Sequence, residues 1–167
     1  KLAPDLSEEE LVRTLDWACE RDVGGFVLTN TTIERPDGLK NPQKNQSGGL
    51  SGAPLTKMSL SFLACAACHL SRTGASDKAL IGVGGISEGR HAYARILAGA
   101  DLIQLYTALS LNGPFCAQEV LSGLRACLSA DGLKSVADAK GQMKDAAEAT
   151  AHAEHVWKIL SAQSVNS

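Results

Sequence analysis

Val83-Gly84-Gly85-Ile86-Ser87 closes one apolar run and opens a helical pattern, so two residues without side chains stand where a strand gives way to a helix. Bare backbone amides there, at the positive end of a helix dipole, suit a phosphate group; the competing reading is a tight turn. Thr29-Asn30-Thr31-Thr32 directly follows Phe26-Val27-Leu28 and gathers hydroxyl and amide side chains at a strand's carboxyl edge, where α/β sheets bind ligands. The same residue types also build Asx and ST turns. Gly48-Gly49-Leu50-Ser51-Gly52 lets backbone lie close against a flat ligand, or simply flex. Lys1 is either a cation aimed at that edge from a strand end or a solvated lysine.

Other chemistries find less support. Cys65-Ala66-Ala67-Cys68-His69 matches the C-x-x-C-H pattern of haem attachment, but it falls inside an apolar helical repeat. A redox C-x-x-C belongs at a helix N-terminus. His91, His152 and His155 show no metal-ligand spacing, and neither a G-x-S-x-G elbow nor a P-loop is present. Five cysteines in apolar helical settings point to reduced thiols. A net charge of −2 without a basic run argues against nucleic acid as a partner. No apolar stretch reaches the roughly 18 residues that cross a bilayer, so membrane contact is expected from outside this chain. Nothing at the N-terminus reads as a signal peptide.

The elements that must position these residues follow from spacing. Ser7-Glu8-Glu9-Glu10 fits a capping box, and Leu11, Leu15 and Ala18 place one apolar stripe on the helix behind it. Residues 26–28 read as a strand. Residues 29–52 read as one long functional loop, mobile around 40–47. Residues 56–71 read as a helix, 79–83 as a strand, 89–98 as a helix, 101–105 as a strand and 114–129 as a helix. Another helix start falls at Ser135, and a last helix at 144–160 carries Trp157 and Ile159 as packing without chemistry. The last two strands begin about 22 residues apart, room for one crossover helix, so they are parallel neighbours. The pattern predicts a parallel sheet, either doubly wound or part of a (β/α) barrel. In a barrel, Tyr106-Thr107 would pair with Gly84-Gly85 as a second phosphate half-site.

In order and spacing, Lys1-Leu2-Ala3-Pro4-Asp5-Leu6, Thr29-Asn30-Thr31-Thr32, Gly48-Gly49-Leu50-Ser51-Gly52, Gly82-Val83-Gly84-Gly85-Ile86 and Gln104-Leu105-Tyr106-Thr107-Ala108-Leu109 resemble the dihydroorotate dehydrogenases, from Lys1 to about Gly141. Tyr106-Thr107 and the doubled threonine after Asn30 resemble the quinone-dependent, membrane-associated class. The resemblance implies an α/β fold: residues 1–141 as the C-terminal portion of a (β/α)8 TIM barrel, about strands 6–8, and 142–167 as a helical extension. It implies FMN as cofactor, dihydroorotate oxidised to orotate in pyrimidine (UMP) synthesis, and electrons passed to a ubiquinone-type acceptor. The site would be the mitochondrial inner membrane in a eukaryote, or the cytoplasmic face of the inner membrane in a bacterium.

By the same resemblance, Lys1 stands near the flavin pyrimidine edge, where its charge suits the anionic reduced flavin. Thr29 and Gly52 contact FMN; Gly84, Gly85 and Thr107 hold its phosphate, and Tyr106 lies beside it. Asn30 and Thr31 bind the substrate, while Leu109 and Pro114 border the quinone tunnel. The family's serine base, its other substrate-binding residues and its membrane-docking helical domain are expected upstream of Lys1, so no catalytic residue is expected here. Glu88 departs from the small polar residue usual at its place. Two rivals remain: a phosphate-binding barrel of isomerase or aldolase type, and a non-catalytic half-barrel that folds only with a partner.

Overall fold

A computed structural model describes residues 1–164. The first helix, α1 (Glu8–Cys19), begins at a full capping box: the Ser7 hydroxyl accepts from the Glu10 amide while the Glu10 carboxylate accepts from the Ser7 amide. Its buried stripe is Leu11, Leu15 and Ala18. Three strands follow, β1 (Gly25–Leu28), β2 (Ala79–Val83) and β3 (Leu102–Gln104), all parallel and in sequential order. Leu2 adds a parallel bridge to Leu28 on the outer side of β1.

The crossovers are α2 (Thr56–Thr73) and α3 (Gly89–Leu97). Since α1 packs on α2 and α2 on α3, these helices share one face of the sheet. Phe26 and Leu80, paired in register, lie beneath them at 5% and 4% exposure. Alternation sends the next row, Val27, Ile81 and Leu102, to the opposite face, where Leu102 is 59% exposed. One face of the sheet is thus covered by helices, while on the other Val27 and Ile81 are half-buried and Leu102 is exposed.

One expected element shifts and one appears that was not expected. The third strand is shorter than 101–105, because the Asp101 carboxylate is committed below it, accepting from the Leu80 amide and from Lys140. Residues 107–112, for which the spacing predicts no element, form a short helix, α4 (Thr107–Asn112), before α5 (Cys116–Ala130). The capping box at Ser135 opens α6 (Val136–Ala139), and α7 (Ala146–Ser164) closes the described chain.

Ala149, Ala153 and Val156 of α7 are buried against a core shared with α3 and α5. There the backbones of α3 and α5 touch: a Cβ on Gly89 would lie 2.3 Å from the Gly123 carbonyl carbon. A Cβ on Gly123 would meet the Trp157 ring at 3.0 Å. Polar contacts fasten the same junction. The Asp131 carboxylate takes the Tyr93 hydroxyl of α3 and lies 2.5 Å from the His152 ring of α7, while Arg90 reaches Glu154 at 2.7 Å. Farther off, the His69 ring pairs with Asp16 at 2.6 Å, tying α2 to α1 within the C-x-x-C-H segment. All five cysteines are free thiols.

Candidate functional site

The carboxyl ends of the strands face an open cleft of about 420 Å³. Lys1, Thr29, Asn30 and Thr31 line one side and Gly52 the next; Gly84 and Gly85, then Tyr106 and Thr107, complete it. Five chain segments therefore bring the sequence-predicted cofactor and substrate residues together. Leu109 and Pro114 are not among the residues lining the cleft; Leu109 is on α4, whose Ala108, Leu111 and Asn112 do line it, and Pro114 is on the turn into α5.

Each wall has a local cause. Thr29 is 2% exposed: its amide donates to the Val83 carbonyl at 2.9 Å, and its hydroxyl donates to the Asn30 carbonyl. The Asn30 amide donates to the Leu2 carbonyl at 2.7 Å, which fixes Asn30 beside the segment bearing Lys1. Asp5 holds the next turn by accepting from the Thr32 hydroxyl and the Ile33 amide. The long loop is closed at its neck by an antiparallel bridge between Thr32 and Leu50. Inside it, the Arg35 guanidinium donates to the carbonyls of Ile33, Glu34, Lys44, Gln46 and Gly48, so both arms of the loop are gathered around one cation.

The phosphate-like wall is built from behind. Gly84 and Gly85 have φ of 114° and 69°, which favour glycine. A Cβ on Gly85 would lie 2.2 Å from the Thr56 hydroxyl, and one on Gly84 3.0 Å from Leu55 and Ser59. The Ser59 hydroxyl donates to the Gly84 carbonyl at 2.9 Å and the Thr56 hydroxyl to that of Gly85 at 3.0 Å, drawing both carbonyl groups towards α2. Across the cleft, the Thr107 hydroxyl donates to Ser51 at 2.9 Å and joins the loop to the end of β3.

No carboxylate lines the cleft among the described residues, whereas Lys1 does. That balance suits an anionic ligand. Sequence reasoning missed Gln104, Ser87 and Asn112, which also line it. Gln104 could have been found as the last polar residue of a strand; Asn112 depends on α4, which no spacing announced.

The family model described as dihydroorotate dehydrogenase matches residues 1–128. Among relatives, the chain is 44% identical over 141 residues to a protein of Haloarcula marismortui named dihydroorotate dehydrogenase (quinone), covering 84% of this chain and 39% of that one. It is 45% identical, over the same span, to the protein of that name from Azorhizobium caulinodans, covering 38% of it. The chain thus spans about two fifths of the length of these relatives. Among solved structures, ligand-free DHODH from Eimeria tenella is similar with a TM-score of 0.79 and 38% identity, over 84% of this chain and 38% of that one. The parallel α/β fold, the strand-end cleft and this match over most of the sequence agree: the chain belongs to the dihydroorotate dehydrogenase family.

Proposed function

We propose that this chain is the C-terminal part, about strands 6–8, of the (β/α)8 barrel of an FMN-dependent, quinone-reducing dihydroorotate dehydrogenase. The observation that carries the proposal is the convergence of Lys1, Asn30, Gly52, Gly84 and Thr107 from separate segments on one cleft. Sequential parallel strands with their helices on a single face support a barrel over a doubly wound sheet, whose strand order reverses.

The residues present fit FMN. The tight glycine wall, the carbonyls of Gly84 and Gly85 turned towards α2, and the absence of lining carboxylates suit its phosphate and flat ring. When bound, FMN supplies the ring that accepts a hydride. Gly84, Gly85 and Thr107 hold the phosphate, with Tyr106 beside it, while Thr29 and Gly52 bear on the ring. Lys1 keeps a positive charge at the pyrimidine edge, where negative charge accumulates on reduction. Asn30 and Thr31, exposed at the cleft mouth, orient dihydroorotate. The proton is taken by a base in the part of the parent protein outside this chain, so the chain alone does not turn over. Leu109 and Pro114 border the route of the quinone.

No helix among the described residues is long and apolar enough to cross a membrane. Membrane attachment is assigned to the rest of the parent protein, at the mitochondrial inner membrane in a eukaryotic source or the inner membrane in a bacterial one. Anaerobic visible spectroscopy of the complete parent protein tests the function. Bound flavin absorbance is expected to bleach with dihydroorotate and return with a quinone analogue. An unreactive or absent flavin would overturn the proposal.

A further inference from the structure

One side chain of α3 lies behind the cleft and has no part in the proposal above. Arg95 is 1% exposed. Its stem crosses β2 at Gly82, where an added Cβ would come within 3.2 Å of its Cδ, so the strand leaves it a channel. The guanidinium ends under the Gly84-Gly85 loop. Nη2 donates to the Gly84 carbonyl, to the Ser59 hydroxyl at 2.9 Å and to the Thr56 carbonyl at 3.3 Å. Nη1 donates to the His91 carbonyl at 2.9 Å. Nε has no partner, and among the described residues no carboxylate pairs with the group.

Burial pushes the Arg95 pKa down to about 10, which still leaves a cation at neutral pH. A buried charge answered only by neutral acceptors is costly, and replacing it with an apolar side chain would free the loop. A staple between α2, α3 and β2 could be built from neutral donors, as Thr56 and Ser59 already show. A charge is useful there only if another charge arrives nearby.

We infer that Arg95 is a positioning residue for the phosphate of the cofactor: it draws the Gly84 carbonyl to the back of the loop and attracts the doubly negative phosphate through one layer of backbone. The inference rests on the reading that Gly84 and Gly85 hold that phosphate. FMN and riboflavin share the ring and differ in the phosphate, so the ratio of their affinities isolates the effect from general loss of structure.

The experiment titrates flavin-stripped parent protein with each flavin, following quenching of flavin fluorescence. Arg95→Gln is expected to weaken FMN by about tenfold or more while leaving riboflavin within about twofold. Arg95→Lys, which keeps the charge, should hold the FMN preference within about threefold of wild type. Equal weakening of both flavins by Arg95→Gln, or of neither, overturns the inference. If Arg95→Gln does not fold, Arg95→Lys decides alone: a retained preference supports the inference and a lost one overturns it. Wild-type protein that binds riboflavin as tightly as FMN overturns the phosphate site itself.

Discussion

His91 stands in the first turn of α3, with Nδ1 3.4 Å from the amide and hydroxyl of Ser87, which lines the cleft. Burial first, and then the charge of Arg90, hold its pKa below the usual imidazole value, against the pull of Glu88. An unfolded histidine takes up its proton near pH ~6.5, whereas the folded one resists to a lower pH. Stability is therefore complete above that pH and declines as pH falls through 6.5 towards the folded value. In the parent protein, His91→Asn should flatten the loss of Tm between about pH 7 and 5; an unchanged slope would place the acid sensitivity elsewhere. At this scale the sequence was readable where chemistry announces itself. Asn30, Gly84 and Thr107 stand at strand ends and reach the cleft. Arg95 was not readable, because an arginine between Ala94 and Ile96 is ordinarily taken as solvent-facing, and only the glycine at 82 across the sheet makes room for it.

Helices α3, α5 and α7 meet around two glycines rather than around large side chains. Gly89 and Gly123 let the first two approach backbone to backbone, and the Trp157 ring then lies over Gly123. Gly123→Val should push all three apart. Overpacking of this kind costs about 1–3 kcal/mol, so a Tm several degrees lower is expected in thermal melts of the parent protein, with flavin affinity little changed. A wild-type Tm would show that α7 can shift without cost. Among elements, α1 was legible because Ser7 and Glu10 satisfy each other's backbone, a local matter. Helix α4 was not: no spacing over residues 107–112 announces it, and the chain turns into a helix once pairing has ended at Gln104. The notch into which α7 packs is likewise a product of tertiary contact.

The whole molecule shows a sheet with one dressed face and two unfinished margins. Beyond β3 there is no further strand among the described residues, and beyond β1 only the bridge at Leu2. The row Val27, Ile81 and Leu102 lies on the side away from the helices. Exposed strand edges beside apolar surface invite pairing with other chains. The chain expressed alone should self-associate as concentration rises, seen by light scattering, and co-expression with the preceding part of the parent protein should suppress it. A cooperative unfolding transition of a monomer would contradict this. Parallel strands in sequential order could be foreseen from crossover lengths, but no spacing within the described residues says what lies against the margins of the sheet.

Arg35 holds its loop entirely through carbonyl oxygens, never through a neighbouring side chain. Every amino acid carries a carbonyl, so a substitution at Lys44 or Gln46 leaves these contacts available. Position 35 has no such liberty, since only a guanidinium offers this many donors in one plane. A polar segment can thus keep Gly52 and Ser51 at the cleft through the donors of one side chain.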